Sequence, residues 1–213
     1  MHIPDGFIPL WQCAIYFIVT LPFIIKSLRW AKGEMDEASI PLFATLAAGI
    51  FAIQALNIPI PGGTSGHMVG GVMAAILLGS PFAGVLLLTI VLLIQGLLFA
   101  DGGITVLGAN ILNMGIISTF VGFYAYRGLR KRVSMSAASF TGAWLGLFVS
   151  SLVVAVELSI AGTFPLLQGL FFMGLYHAII GVVAEGAITA VVVSTILKVS
   201  PEIFPALTKE VTS

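Results

Sequence analysis

Three histidines occur in this 213-residue sequence, His2, His67 and His177, and the first sits where the backbone itself can do chemistry. A chain that starts Met1-His2 offers the Met1 α-amine, the His2 amide nitrogen and the His2 ring Nδ1 within a few covalent bonds of each other. Once the amide gives up its proton, these nitrogens close a five-membered and a six-membered chelate ring on one ion. They then lie close to a single plane by covalent geometry alone. Planar or tetragonal nitrogen fields of this kind suit Ni2+ and Cu2+. One further donor completes a square, and His67 is the candidate. It ends the run Pro59-Ile60-Pro61-Gly62-Gly63-Thr64-Ser65-Gly66-His67, whose prolines and glycines make a loop able to approach another backbone closely. His177 lies about ten residues inside a long apolar run and reads as a supporting or structural residue rather than a ligand.

A site of four nitrogens leaves no carboxylate on the ion, so the nearby polar residues read as support. Pro4-Asp5-Gly6 is a turn sequence that can fold the chain start back inward. Asp5 has two readings of equal weight: it accepts the free ring N–H of His2, or it caps the first helix. Asp101, which opens the run Asp101 to Gly108, and Asn110 are further candidates to hold the ligands. Asn110 and Asn113 fall inside an apolar segment where buried amides need partners, so bridging between helices is the plainer role for both. Glu157 and Glu185 also interrupt apolar segments, and carboxylates at membrane depth are functional candidates. Glu157 falls near a segment end, where solvation by water is the simple alternative. Glu185 follows His177 by eight residues, two helical turns, so the two share a face. An intramembrane hydrolase could use His177, Glu157 or Glu185. However, no His-Glu-x-x-His, Ser–Lys or paired-Asp pattern supports catalysis, and no catalytic cofactor is expected.

Elements of a particular kind must position these residues. Hydrophobic residues make up 59% of the chain and charged ones 8%, with a mean hydropathy of +1.12, which points to a bilayer as solvent. Net charge is zero and no basic stripe suggests nucleic acid. The single cysteine, Cys13, allows no disulfide framework and reads as a small apolar residue. Apolar segments run over about 8–25, 40–57, 67–79, 82–99, 104–126, 136–160 and 167–197. The expected fold is therefore an all-α, multi-pass protein of seven transmembrane helices in a single domain over 1–213. The third is short or broken and tolerable only against protein, and the last can kink at Gly181 and Gly186. Lys26, Arg29 and Lys32, Arg127 to Arg132, and Lys198 and Lys209 then all fall on one face. The positive-inside rule makes that face cytoplasmic, with the C-terminus inside and the N-terminus outside. No cation precedes the first apolar run, which argues against a cleaved signal and for a retained start. Gly66 and Gly70, Gly71 and Ala75, and Gly142 and Gly146 are spaced for close helix packing within the bundle. The tail after Lys198 reads as a frayed polar end.

Together these motifs resemble the CbiM/NikM substrate-binding components of energy-coupling-factor transporters for cobalt and nickel. Met1-His2-Ile3-Pro4-Asp5-Gly6-Phe7, Pro61 to His67, and Asp101 to Gly108 followed by Ala109-Asn110-Ile111-Leu112-Asn113-Met114-Gly115 carry the resemblance. It extends to Tyr176-His177-Ala178 and Ala184-Glu185-Gly186. The resemblance implies a seven-helix fold with an inserted N-terminus. It implies metal held by the Met1 amine, the His2 amide and ring, and the His67 ring. The loop Gly-Gly-Thr-Ser-Gly-His is more similar to the nickel branch, with a cobalt component serving cobalamin synthesis as the alternative. The resemblance also implies a plasma-membrane location, a transmembrane coupling subunit and cytosolic ATPases, with a small accessory membrane subunit as a further partner. The sequence has no Gly-x-x-x-x-Gly-Lys-Ser/Thr motif, so the energy is expected from those other chains.

Overall fold

A computed structural model describes residues 1–37, 39–61 and 64–199. Gly62 and Gly63 of the His67 loop, Lys209 and the expected polar tail from residue 200 onward lie outside the described residues. Seven helical segments appear among those described: α1 (Leu10–Glu34), α2 (Ser39–Gln54), α3 (Gly71–Leu78), α4 (Pro81–Leu98), α5 (Leu107–Leu129), α6 (Met135–Ile160) and α7 (Leu166–Val199). Five of them, α1 and α4 to α7, are long and apolar enough to cross a membrane. The 16-residue α2 is a shorter apolar helix, and α3 has eight residues. Large apolar side chains such as Leu10, Trp11, Ile18, Leu98, Leu167 and Val183 face outward, as a bilayer requires.

The short α3 is the element that apolar periodicity alone describes worst. Its residues Gly71 to Leu77 are all buried, so it is an inner helix wrapped by protein. Two strands precede it, β1 (Ile58–Ile60) and β2 (Thr64–Gly66), which the sequence reading did not foresee. They pair antiparallel with Ile58 opposite Gly66, Pro59 opposite Ser65 and Ile60 opposite Thr64.

The small-residue spacings serve contacts inside the bundle. A Cβ on Gly142 would lie 2.7 Å from the Gly122 carbonyl, so α5 and α6 meet backbone to backbone. Two π-helical stretches interrupt the long helices, Ile111–Ile117 in α5 and Gly181–Gly186 in α7. The second lies between the glycines expected to weaken that helix. Such bulges re-aim side chains and are often found at functional sites. Here they present Asn113 and Glu185 to neighbouring elements.

Glu157 is not at a wetted end. It is 3% exposed, and its carboxylate accepts a hydrogen bond from Asn113 Nδ2 at 2.6 Å. Its carbonyl accepts another from Gln12 Nε2 at 2.9 Å, so one residue ties α1, α5 and α6 together.

Candidate metal centre

The chain start is inside the protein. Phe7 N–H donates to the Pro4 carbonyl at 3.4 Å and Gly6 takes a φ of +86°, so the expected turn folds residues 1–3 inward. Met1 and Ile3 are fully buried and His2 is 4% exposed. The Met1 amine donates to the Ser65 carbonyl of β2, and the Met1 side chain lies near Ser150 of α6. Ile3 is held on both polar atoms: its N–H donates to Asn110 Oδ1 at 2.9 Å, and its carbonyl accepts from Asn110 Nδ2 at 3.1 Å. That carbonyl also accepts Gly103 N–H at 3.0 Å. Asn110 thus clamps the N-terminal segment in place, one of the roles its position allowed.

Asp5 does neither of the two things expected of it. Its carboxylate accepts from Ile104 N–H at 3.1 Å, Thr105 N–H at 2.8 Å and the Thr105 hydroxyl at 2.5 Å. The first helix is instead preceded by Pro9, with no side-chain cap. Asp5 therefore anchors the turn to the loop after α4. These hydrogen bonds, that of the Thr105 hydroxyl foremost, hold its carboxyl below the usual carboxylate range.

The carboxylate that does meet His2 is Asp101, with Oδ1 at 3.3 Å from Nδ1. On the other side of the ring, His2 Nε2 donates to Gln95 Oε1 at 3.1 Å. Because a carbonyl oxygen can only accept, this contact leaves the proton on Nε2 and the lone pair on Nδ1. Gln95 was missed in the sequence. Its signal was available, since a lone amide in the apolar run Pro81–Leu98 needs a partner as much as the asparagines do. Gly102 closes over the same ring: its φ is +89°, and a Cβ there would sit 3.1 Å from His2 Cδ2. Only glycine suits that position on both counts.

His67 lies against the other face of the His2 ring, with centroids 4.5 Å apart and 21° between planes. Its Nδ1–H donates to the Met68 carbonyl at 2.7 Å, which leaves the Nε2 lone pair free and without a partner. The loop is fixed from behind by Glu185, which accepts from Val69 N–H and Gly70 N–H, the latter at 3.0 Å. His177 Nδ1–H donates to the Met173 carbonyl at 2.9 Å. Glu185 and His177 are thus engaged with different groups, and the pair a hydrolase would use is not formed.

Burial decides the charge state of the site. Desolvation pushes the Met1 amine down to about 4, against a smaller opposing pull from Asp101. It pushes His2 down to about 3, helped by the nearby amine and opposed by the Gln95 contact. His67 falls well below the imidazole range for the same reason, with the amine, His2 and His177 adding to the effect. Burial raises the Asp101 carboxyl, and the amine partly offsets this. With His2 neutral, its contact with Asp101 is not an ion pair but a lone pair facing a carboxylate. A cation between the two, or a shared proton, relieves that arrangement.

Among the described residues no group of three or more His, Cys, Asp or Glu side chains could hold a metal. Backbone nitrogens can add to the side-chain donors of a metal centre here. The Met1 amine, the His2 amide and ring, and His67 Nε2 are the buried donors that the fold brings together for it.

Residues 2–203 match the CbiM family model, described as the cobalt uptake substrate-specific transmembrane region. A provisionally named fused nickel transport protein NikMN of Archaeoglobus fulgidus is 45% identical over 95% of this chain, which spans 68% of that protein. The fused nickel transport protein NikMN of Rhodobacter capsulatus is 36% identical, also over 95% of this chain, with 63% of its own length matched. The cobalt transport protein CbiM of Geobacter sulfurreducens is 34% identical over 95% of this chain and 61% of its own length. A crystal structure of a truncated transition-metal transporter superposes with a TM-score of 0.88 at 34% identity, covering 93% of this chain and 99% of that one.

Proposed function

The chain belongs to the CbiM family, a family of nickel and cobalt transport components, and we propose that it is the subunit that captures the ion for an energy-coupling-factor importer. Ni2+ is the cargo, with Co2+ as the alternative. The observation that carries this reading is the inward-folded chain start, which buries its α-amine and His2 against His67. The Met1 amine, the His2 amide nitrogen, His2 Nδ1 and His67 Nε2 are the four donors. The amine and both rings are held neutral, so three of them are ready to bind without losing a proton. The amide gives up its proton to the incoming ion, and that charge together with Asp101 balances a dication in a buried place.

Ring lone pairs lie in the ring planes, and the His2 and His67 rings are nearly parallel. Bringing both to one ion at about 2.0–2.1 Å requires one ring to turn out of the stack. His67 is the mobile partner, because a single ring contact, to Met68, restrains it, whereas His2 is held by Gln95 and enclosed by Gly102. Three donors from two adjacent residues keep the ordering cost of capture low.

The nickel branch is favoured by the Gly-Gly-Thr-Ser-Gly-His loop and by the nickel transport names of two of the relatives. The whole of 1–213 works as one plasma-membrane unit. The site end of the bundle carries Asp5 and Asp101 and, among the described residues, no Lys or Arg. The opposite end carries Arg127, Arg130, Lys131 and Arg132. This asymmetry supports an outward-facing site and a cytoplasmic C-terminus. A transmembrane coupling subunit and cytosolic ATPases supply the driving force, and an accessory membrane subunit assists.

The reading is tested by metal analysis and Ni2+ titration of the purified protein beside His2→Ala and His67→Ala. One ion per wild-type chain is expected. Either substitution should weaken binding by at least the ~100-fold that loss of even a supporting residue can cost. Wild-type affinity in both variants would overturn it.

A further inference from the structure

His177 has no place in the four-nitrogen site, yet it is prepared as a donor. It is 0% exposed. Its Nδ1–H is committed to the Met173 carbonyl at 2.9 Å, which leaves a lone pair on Nε2, and that atom is buried without a partner. His67 is prepared in the same way, with Nδ1 on the Met68 carbonyl and Nε2 unpartnered. A buried imidazole nitrogen in this state lacks a hydrogen bond that a folded protein normally provides.

The position of His177 follows from contacts on either side of it. Residues 64–70 run alongside α7, with Thr64–Gly66 as strand β2. Thr64 donates to Met173 Sδ at 3.1 Å, Gly66 packs against the Ile180 side chain, and Val69 and Gly70 meet Glu185. These contacts fall in the same order along both stretches, so the two stay level along their length. His177 shares a face with Met173 and Ile180, at one-turn spacings, and is therefore level with Ser65 and Gly66. That is the level at which the Met1 amine meets the Ser65 carbonyl, two residues before His67. The Ser65 hydroxyl there is also buried and unpartnered.

We propose that His177 is a second metal ligand, forming with His67 a two-imidazole station that takes the ion as the N-terminal chelate lets it go. This rests on the capture site described above, with which it shares His67. A grip of four nitrogens is poorly suited to release, whereas two imidazoles and a hydroxyl hold a divalent transition metal more weakly. Because His67 serves both stations, the ion keeps one protein bond throughout the handover. The His67 ring, already required to turn for capture, is the element that swings.

The experiment uses the full chain in detergent and Cu2+ as an imidazole-sensitive probe, read by electron paramagnetic resonance. His2→Ala removes the chelate and should leave a weak site whose spectrum shows two ring nitrogens. In His2→Ala/His177→Ala that signal should fall to a single ring nitrogen, with affinity weaker by about tenfold or more. In the otherwise wild-type chain, His177→Asn should slow release of Ni2+ to excess chelator by about tenfold, the scale of one lost ligand. Should His2→Ala fail to fold, the release measurement stands alone. Identical residual spectra with and without His177, or unchanged release from His177→Asn, would overturn the station. Wild-type affinity in His2→Ala would instead sink the capture site itself, so the two failures are distinguishable.

Discussion

In the proposed capture site the Met1 amine and His2 ring, held neutral by burial, meet an ion without first shedding protons. A free amine is protonated below pH 8.0 and a free imidazole below 6.5, but in the docked start they stay neutral to about 4 and about 3. A base whose pKa falls on docking loses stability as pH drops below its free value. The docked start is therefore tightest above pH 8 and is drawn out progressively toward pH 4. Around neutrality only the amide proton is displaced, so log affinity for Ni2+ should rise by about one for each pH unit. Calorimetric titration between about pH 6.5 and 8 checks this beside a free Met-His peptide, whose slope should be steeper because its amine must also lose a proton. A slope of two or more in the protein would contradict it. At this scale the meeting of His2 with His67 was legible in the sequence, because both were expected on the same face with the chain start turned inward. Which carboxylate faces His2 was not. That depends on the path of the loop after α4, where Gly102 and Gly103 let the backbone approach until Asp101, rather than Asp5, meets the ring.

The elements place His67 more than any side chain near it does. Glu185 sits on the π-helical stretch of α7 and takes the N–H groups of Val69 and Gly70, two and three residues beyond His67. Those N–H groups lie just ahead of α3, so the carboxylate both satisfies two buried backbone donors and pins the loop. Glu185→Gln replaces one acceptor oxygen with a donor that cannot serve them. Ni2+ affinity should drop by about 10- to 100-fold while the thermal midpoint changes little. Unchanged affinity would show that the loop holds itself. The long helices were readable from their apolar lengths, and the last departs from α-helical geometry between Gly181 and Gly186 as a π-helical stretch. The β1–β2 pair escaped, since three-residue strands rich in proline and glycine carry no period-2 pattern. The role of Glu185 escaped too, because spacing along one helix does not show which loop packs against its face.

Across the whole molecule, a membrane bundle is folded around its own beginning. The Met1 amine, the loop before α3 and the loop after α4 converge at one end, and the cations gather at the other. Composition made the bilayer legible. The depth at which the chain start is buried was not, because it depends on Asn110, Gly103 and Ser65 receiving Met1 and Ile3 from three separate elements. The most direct measurement is Ni2+ titration of a chain with one residue added ahead of Met1, beside the wild type. The added residue moves the free amine away from the His2 ring and breaks the five- and six-membered ring pair. The account predicts that tight binding is lost while the helical content and thermal midpoint stay near wild type. Wild-type affinity in the extended chain would contradict it.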